Sequence, residues 1–194
     1  MIEELLNKYL EKEIKKEDKR VRSGKWSPSS FGRCYRYQYW NRMNEKHSNP
    51  VDVYAMKTFA LGNLIGGYIQ GIISGQVLSV IESNISTVDC EAYADIELQD
   101  EIVELKTIHP FGFKQLKKKD FDITQSKIHN ILQCMYYAIK LTKNKGRLVY
   151  ISKDTMEIKE FVFDTVDWIN RVDEELRILN SFWNRRSCHL QWQG

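Results

Sequence analysis

The twelve residues Asp95-Ile96-Glu97-Leu98-Gln99-Asp100-Glu101-Ile102-Val103-Glu104-Leu105-Lys106 constrain the fold more than any other stretch of the chain. Two runs of alternating polar and apolar residues flank the polar pair Gln99-Asp100, the pattern of two antiparallel strands joined by a tight turn. Centring the turn on that pair sets Asp95 across from Glu104 and Ile96 across from Val103. Directly opposed side chains have Cβ atoms about 4.5–5.5 Å apart, and residues two apart on a strand share a face, so Lys106 joins the two carboxylates. The reverse face carries Ala94, Ile96, Leu98, Val103 and Leu105, which reads as core. Opposed like charges destabilise a sheet unless something compensates them. Magnesium or manganese suits carboxylate oxygens, and an adjacent ammonium can steady a phosphate or depress the pKa of an attacking water. Gln99-Asp100 is not a dipeptide that fixes a two-residue turn, so an ordinary exposed hairpin is the alternative.

The rest of the chain supplies layers for such a hairpin. Apolar residues at helical spacing predict an amphipathic helix over 1–19, followed by the charged stretch Lys15 to Arg22. Ser27-Pro28 starts a second helix, rich in arginine and aromatics, and a third runs from about 53 to 73 despite glycines at 62, 66 and 67. Strands are predicted at 76–83, 86–98, 101–108, 147–153 and 158–164. Between the third and fourth lie a basic loop, Lys114 to Lys119, and a helix over 125–141, and a last helix covers 165–183. This order predicts an α/β (α+β) fold, a central mixed sheet flanked by helices. With 194 residues, a single domain spanning 1–194, helical over about 1–75, is expected. No apolar run approaches the roughly 20 residues that span a bilayer, so a soluble protein without membrane partners is expected. Four scattered cysteines with no C-x-x-C pair, and no signal peptide pattern, predict a reducing, cytoplasmic location.

On the helix over 125–141, His129, Gln133 and Tyr137 recur every four residues as one polar-aromatic stripe. The opposite stripe, Ile128, Leu132, Met135 and Ile139, is expected to pack on the sheet. Gln133 offers donors and acceptors and Tyr137 a hydroxyl, a pairing suited to orienting a catalytic side chain or a nucleotide. A partly exposed amphipathic face is the alternative.

Asp95, the Glu104-Leu105-Lys106 triplet, Gln133-x-x-x-Tyr137, and the serine-rich helix start leading to Cys34 occur in one order. In these marks the chain resembles the PD-(D/E)xK nuclease superfamily, and within it the RecB-like group that includes CRISPR-adaptation nucleases and phage recombination exonucleases. The resemblance covers most of residues 27 to 164. It implies a restriction-endonuclease-like core and metal-dependent hydrolysis of DNA phosphodiesters by an exonuclease acting on ends or single strands in recombination, repair or phage replication. It implies a bacterial or phage-infected cell, with recombination or replication proteins as partners. Asp95, Glu104 and the Leu105 carbonyl would bind magnesium or manganese, Lys106 would position or activate the attacking water, and Gln133 and Tyr137 would orient the site or the DNA. Glu82 stands where such enzymes often carry a further acid, with a solvated strand-end glutamate as the alternative.

Two departures stand out. RecB-like members commonly place a metal-binding histidine in a helix where this chain has Gly66. Either the lineage does without that ligand or the glycine is an introduced change, and a helical glycine costs about 1 kcal/mol against alanine. A DNA- or partner-binding module with an impaired nuclease site is therefore the alternative function. Many relatives also hold a four-iron cluster through a cysteine at the position of Cys34 and three near the C-terminus. Here only Cys34 and Cys188 correspond, with His189 a weak third candidate, and two of four ligands will not hold that cluster. Buried free thiols are expected at both positions, with Cys134 a packing residue and Cys90 a strand residue. Lys114, Lys117, Lys118 and Lys119 could reach DNA phosphates, and Arg33, Arg36, Tyr35 and Tyr37 could add charge and stacking, although a lysine run is more often a solvated surface. His47, His109 and His189 have no assigned role.

Overall fold

The hairpin forms around Gln99-Asp100, with the Leu98 N–H donating to the Glu101 carbonyl at 2.9 Å. Ile96 pairs with Val103 and Glu97 with Ile102, the register that the alternation predicts. A clamp outside the hairpin makes up for the missing turn signal. Lys143 Nζ donates to the Gln99 carbonyl at 3.2 Å, the Asn144 N–H donates to the Asp100 carbonyl at 3.1 Å, and Lys143 also pairs with Glu97. The computed structural model describes residues 1–17, 21–46 and 48–185; His47, Cys188 and His189 lie outside the described residues, as does the end of the predicted first helix.

From the hairpin outward the described residues build one mixed sheet in the order β1 (Val80–Asn84), β2 (Tyr93–Glu97), β3 (Glu101–Ile108), β4 (Lys145–Ser152), β5 (Ile158–Asp164). β3 and β4 run parallel and the other neighbours antiparallel. A parallel pair needs a crossover connection. Here it is made by α4 (Pro110–Leu116), α5 (Ile123–Ser126) and α6 (Ile128–Lys140). α3 (Val53–Gln76) covers one face of the sheet through Ile65, Ile69 and Ile73, packed on Ile96, Val103, Val149 and Ile151. α6 covers the other face, over Ile102, Leu148 and Tyr150, and α7 (Ile169–Arg185) packs against α6. Each fully buried aliphatic side chain in these layers contributes about 1.5–3 kcal/mol. α1 (Ile2–Glu17) lies against α3, and α2 (Tyr35–Arg42) against α7. No helix among the described residues is long and apolar enough to cross a membrane.

Several boundaries differ from expectation. The helix expected from Ser27 is broken into a 3-10 turn over Pro28–Ser30 and α2, because Gly32 at φ 70° reverses the chain where its Cα approaches α6. α3 continues to Gln76, so the first strand begins at Val80 rather than at 76. The strand expected over 86–98 is regular only over Tyr93–Glu97, since the chain before it loops past Trp26, with which Cys90 makes an isolated bridge. Lys114 belongs to α4 rather than to a loop. Ala94 packs in the α6-side core instead of with Ile96; the alternation breaks where Glu82, at φ 53°, faces Asp95 without a paired bridge.

Candidate active site

The site grows from a divergence of strands. β2 and β3 stay paired through Ile96 and Val103, and beyond that point the Leu105 N–H finds its acceptor in a side chain, the Asp95 carboxylate, at 2.7 Å. Meanwhile β3 keeps its full ladder to β4, with Glu104 beside Leu148 and Lys106 beside Tyr150. Asp95 and Glu104 are therefore not the directly opposed pair that the register predicts, nor are Ala94 and Leu105, because the β2–β3 ladder ends at Ile96 and Val103; the Glu104 charge still acts on Asp95. On the outer strand, Glu82 adopts the left-handed backbone conformation noted above, which costs a non-glycine residue on the order of 1–3 kcal/mol and recurs at functional sites. Gln70 of α3 donates to the Glu82 carboxylate at 2.8 Å and to the Asp95 carbonyl at 3.1 Å, tying α3 to this corner.

Glu104 is 1% exposed. One of its carboxylate oxygens meets Lys106 Nζ at 2.7 Å, and the other is buried with no hydrogen-bond partner. Lys106 Nζ also donates to Gln133 Oε1 at 3.0 Å, and Gln133 Nε2 donates to the Tyr137 hydroxyl at 3.0 Å. The four side chains thus form one unbroken chain from the sheet into α6. Burial, then the neighbouring Glu104 charge, pushes the Asp95 carboxyl up to about 8. Burial also raises Glu104. Burial works against the Lys106 ammonium, but Glu104 and Asp95 outweigh it and leave its pKa above the ordinary value. Tyr137 is raised by burial and by Glu104.

Asp95, Lys106 and Gln133 line a cleft of about 990 Å³, with Glu104 and Tyr137 buried behind them. One wall is a stripe of α3, Phe59, Asn63, Gly66 and Gln70; the other is built from Ser27, Ser29, Ser30, Arg33 and Tyr37, with Asn130 of α6 beside Gln133. A Cβ built on Gly66 meets nothing within 4 Å, so a side chain there would enter open space. Asp95, Glu104 and the Leu105 backbone are the groups that could hold a metal. Among the described residues no cluster of three or more His, Cys, Asp or Glu side chains is gathered, so Glu82 does not complete a three-acid set.

The structure brings Asp95, Glu104, Lys106, Gln133 and Tyr137 together, with Arg33 and Tyr37 on the same cleft. It does not bring the others. Tyr35 donates its hydroxyl to the buried Glu175 of α7, its own pKa pushed up to about 12 by burial and that carboxylate. Arg36, Lys114, Lys118 and Lys119 are absent from the cleft lining, and Lys117 pairs with Glu157 at 3.0 Å. Cys34 is a free and exposed thiol rather than a buried one, while Cys134, on α6, is buried as a packing residue. His129, expected beside Gln133, is lowered to about 4 by burial and by Arg33. The expected packing of α6 holds for Leu132 and Met135, both buried, with Met135 over Gly146, and is revised elsewhere: Gln133, Cys134 and Tyr137 are buried too, and Ile128 and Ile139 are only partly buried. Sequence reasoning missed Gln70, Asn130, Lys153 and Phe59. The first and last fall on the helical face of Gly66, at i+4 and i−7, a spacing that was readable.

No family model and no curated protein matches the chain. Among solved structures it is similar to an alkaline exonuclease, LHK-Exo from Laribacter hongkongensis, with a TM-score of 0.58 and 13% identity over 88% of this chain and 93% of that one. The same exonuclease in complex with dAMP gives 0.52 and 14% over 84% and 93%. The crystal structure of SSO0001 gives 0.54 and 20% over 97% and 93%. The chain therefore shares its fold, a five-stranded mixed sheet flanked by helices, with an alkaline exonuclease.

Proposed function

We propose that this chain is a metal-dependent DNA nuclease, an exonuclease acting on DNA ends or single strands. The observation that carries the proposal is Glu104 joined through Lys106 and Gln133 to Tyr137, with Asp95 beside them and Asp95, Lys106 and Gln133 lining an open cleft. The residues fit a divalent cation: the half-buried Asp95 carboxyl is raised by burial and by the Glu104 charge, Glu104 is raised by its own burial, and one Glu104 oxygen has no partner. Asp95, Glu104 and the Leu105 carbonyl would hold magnesium or manganese, which when bound supplies charge for the phosphoryl oxygens and a more acidic water. Lys106 stays protonated beside its acids, so it steadies the anionic phosphate and orients water rather than taking a proton. Gln133 fixes the ammonium, and Tyr137 fixes Gln133. Arg33 and Lys153 line the cleft as phosphate contacts, and the lysines at 114 and 117–119 would meet only an outer stretch of DNA.

The test is cleavage of end-labelled single- and double-stranded DNA with magnesium or manganese. Asp95→Asn is expected to lower the rate by roughly 10²- to 10³-fold. Undiminished cleavage by that variant would sink the proposal, and cutting of closed circles would replace an exonuclease with an endonuclease. Gly66 favours a second reading, a DNA- or partner-binding module whose nuclease site is impaired. Retained DNA binding without manganese uptake or cleavage would establish it.

A further inference from the structure

Beyond the acids, the cleft carries a feature without a part in hydrolysis. Phe59 is 54% exposed although α3 has a sheet to cover, and its ring lines the cleft rather than the core. It belongs to the stripe Phe59, Asn63, Gly66 and Gln70, residues that recur on one helical face. Gln70 is at the acid end, bonded to Glu82 and to the Asp95 carbonyl. With about 1.5 Å of rise per residue, Phe59 stands roughly 16 Å farther along the helix axis. At that distant end the Lys153 ammonium is held by the Thr58 carbonyl at 2.9 Å, next to Phe59 in sequence and on the same cleft. Tyr37, 42% exposed, lines the cleft as well.

An exposed ring beside a fixed cation in a polar cleft matches what an unpaired nucleotide requires, a face for its base and a charge for its phosphate. We propose that Phe59, with Lys153, forms a stacking subsite for an unpaired base several nucleotides from the phosphate that is cut, making the cleft selective for single strands longer than the site itself. Bases within a duplex are already stacked and cannot use the ring. The proposal rests on the nuclease reading, and binding tests it separately from cleavage.

The probe is 5′-fluorescein oligothymidylate of three and of twelve nucleotides, titrated in calcium and read by anisotropy. Phe59→Ala is expected to weaken the twelve-nucleotide strand roughly tenfold and the three-nucleotide strand much less. Phe59→Trp should restore binding, which a merely misfolded variant would not allow. Phe111→Ala, an exposed ring at 68% outside the cleft lining, should change nothing. Equal losses at both lengths, no loss, or failure of tryptophan to restore binding would overturn the subsite. A wild type that binds but cleaves neither single- nor double-stranded DNA overturns the nuclease alone; one that cleaves duplex ends without binding the longer strand overturns the subsite alone.

Discussion

The two helices that border the cleft are built on opposite terms. α6 is buried almost all round: Ile131 through Ala138 are all buried, and it lies so close to β4 that only a glycine fits at 146 beneath Met135 and Cys134. Its polar residues reach the sheet already paired, Gln133 to Lys106 and Tyr137, Asn130 to Tyr150. α3 carries five glycines, leaves Leu64 and Tyr68 exposed on its outer face, and presents to the acids a position with no side chain at all. Chemistry that needs fixed geometry sits on the packed wall. The open wall has room to differ, and the ligand expected there is the one that is absent.

The widest effect should come from the packed side as a dependence on pH. Folding raises the Asp95 pKa to about 8, so the folded chain holds a proton that the unfolded chain releases near 4. The stabilisation is complete below pH 4 and is lost as pH rises through 8, at a slope of up to about 1.4 kcal/mol per pH unit. Denaturant midpoints in EDTA from pH 5 to 9 should fall for the wild type and stay flatter for Asp95→Asn; parallel curves would contradict the shift.

Next in size is Gly146→Ala, whose Cβ would overlap the Met135 methyl and lie 2.8 Å from the Cys134 sulfur. A cost of about 1–3 kcal/mol is expected by thermal melting, and a neutral result would show that α6 can yield as α3 can. Gly66→His places a ring in open space in the cleft that Asp95 also lines, and calorimetry should find manganese bound about tenfold more tightly. No gain would mean that the open wall never faces the metal. Smallest is Gly66→Ala, which should raise stability by up to about 1 kcal/mol, since nothing opposes the methyl group and alanine is the better helix former.

What the sequence disclosed divides along similar lines. The hairpin register was legible because alternation with a period of two leaves one pairing that buries Ile96 against Val103. The i+4 spacing made the line of Gln133 and Tyr137 legible, but not the bond from Lys106 to Gln133, because that line was expected at the margin of the sheet. Which face of α6 meets the sheet was not legible, because nearly every residue of its middle is buried and periodicity then carries little information. The break at Gly32 was hidden for another reason. Its N–H donates to Glu175, as does Gln38, a contact across more than a hundred residues that no local pattern encodes. The lysine run misled because charge along the sequence does not say which edge of the fold it decorates.

Asp95 has a second occupation. Its carboxylate is the acceptor that the Leu105 amide needs once β2 and β3 part. Replacing it with alanine would remove a charge and also orphan a backbone donor, whereas asparagine could keep the bond. Folding alone is thus a reason for this position to retain an oxygen acceptor. A chain of this fold that did not cut DNA would still be under pressure to keep it, so finding Asp95 there would not testify to activity. Glu104 bonds to no backbone group: one of its oxygens holds Lys106 and the other, buried, has no partner, so on the nuclease reading its loss would be the earlier sign of a retired site.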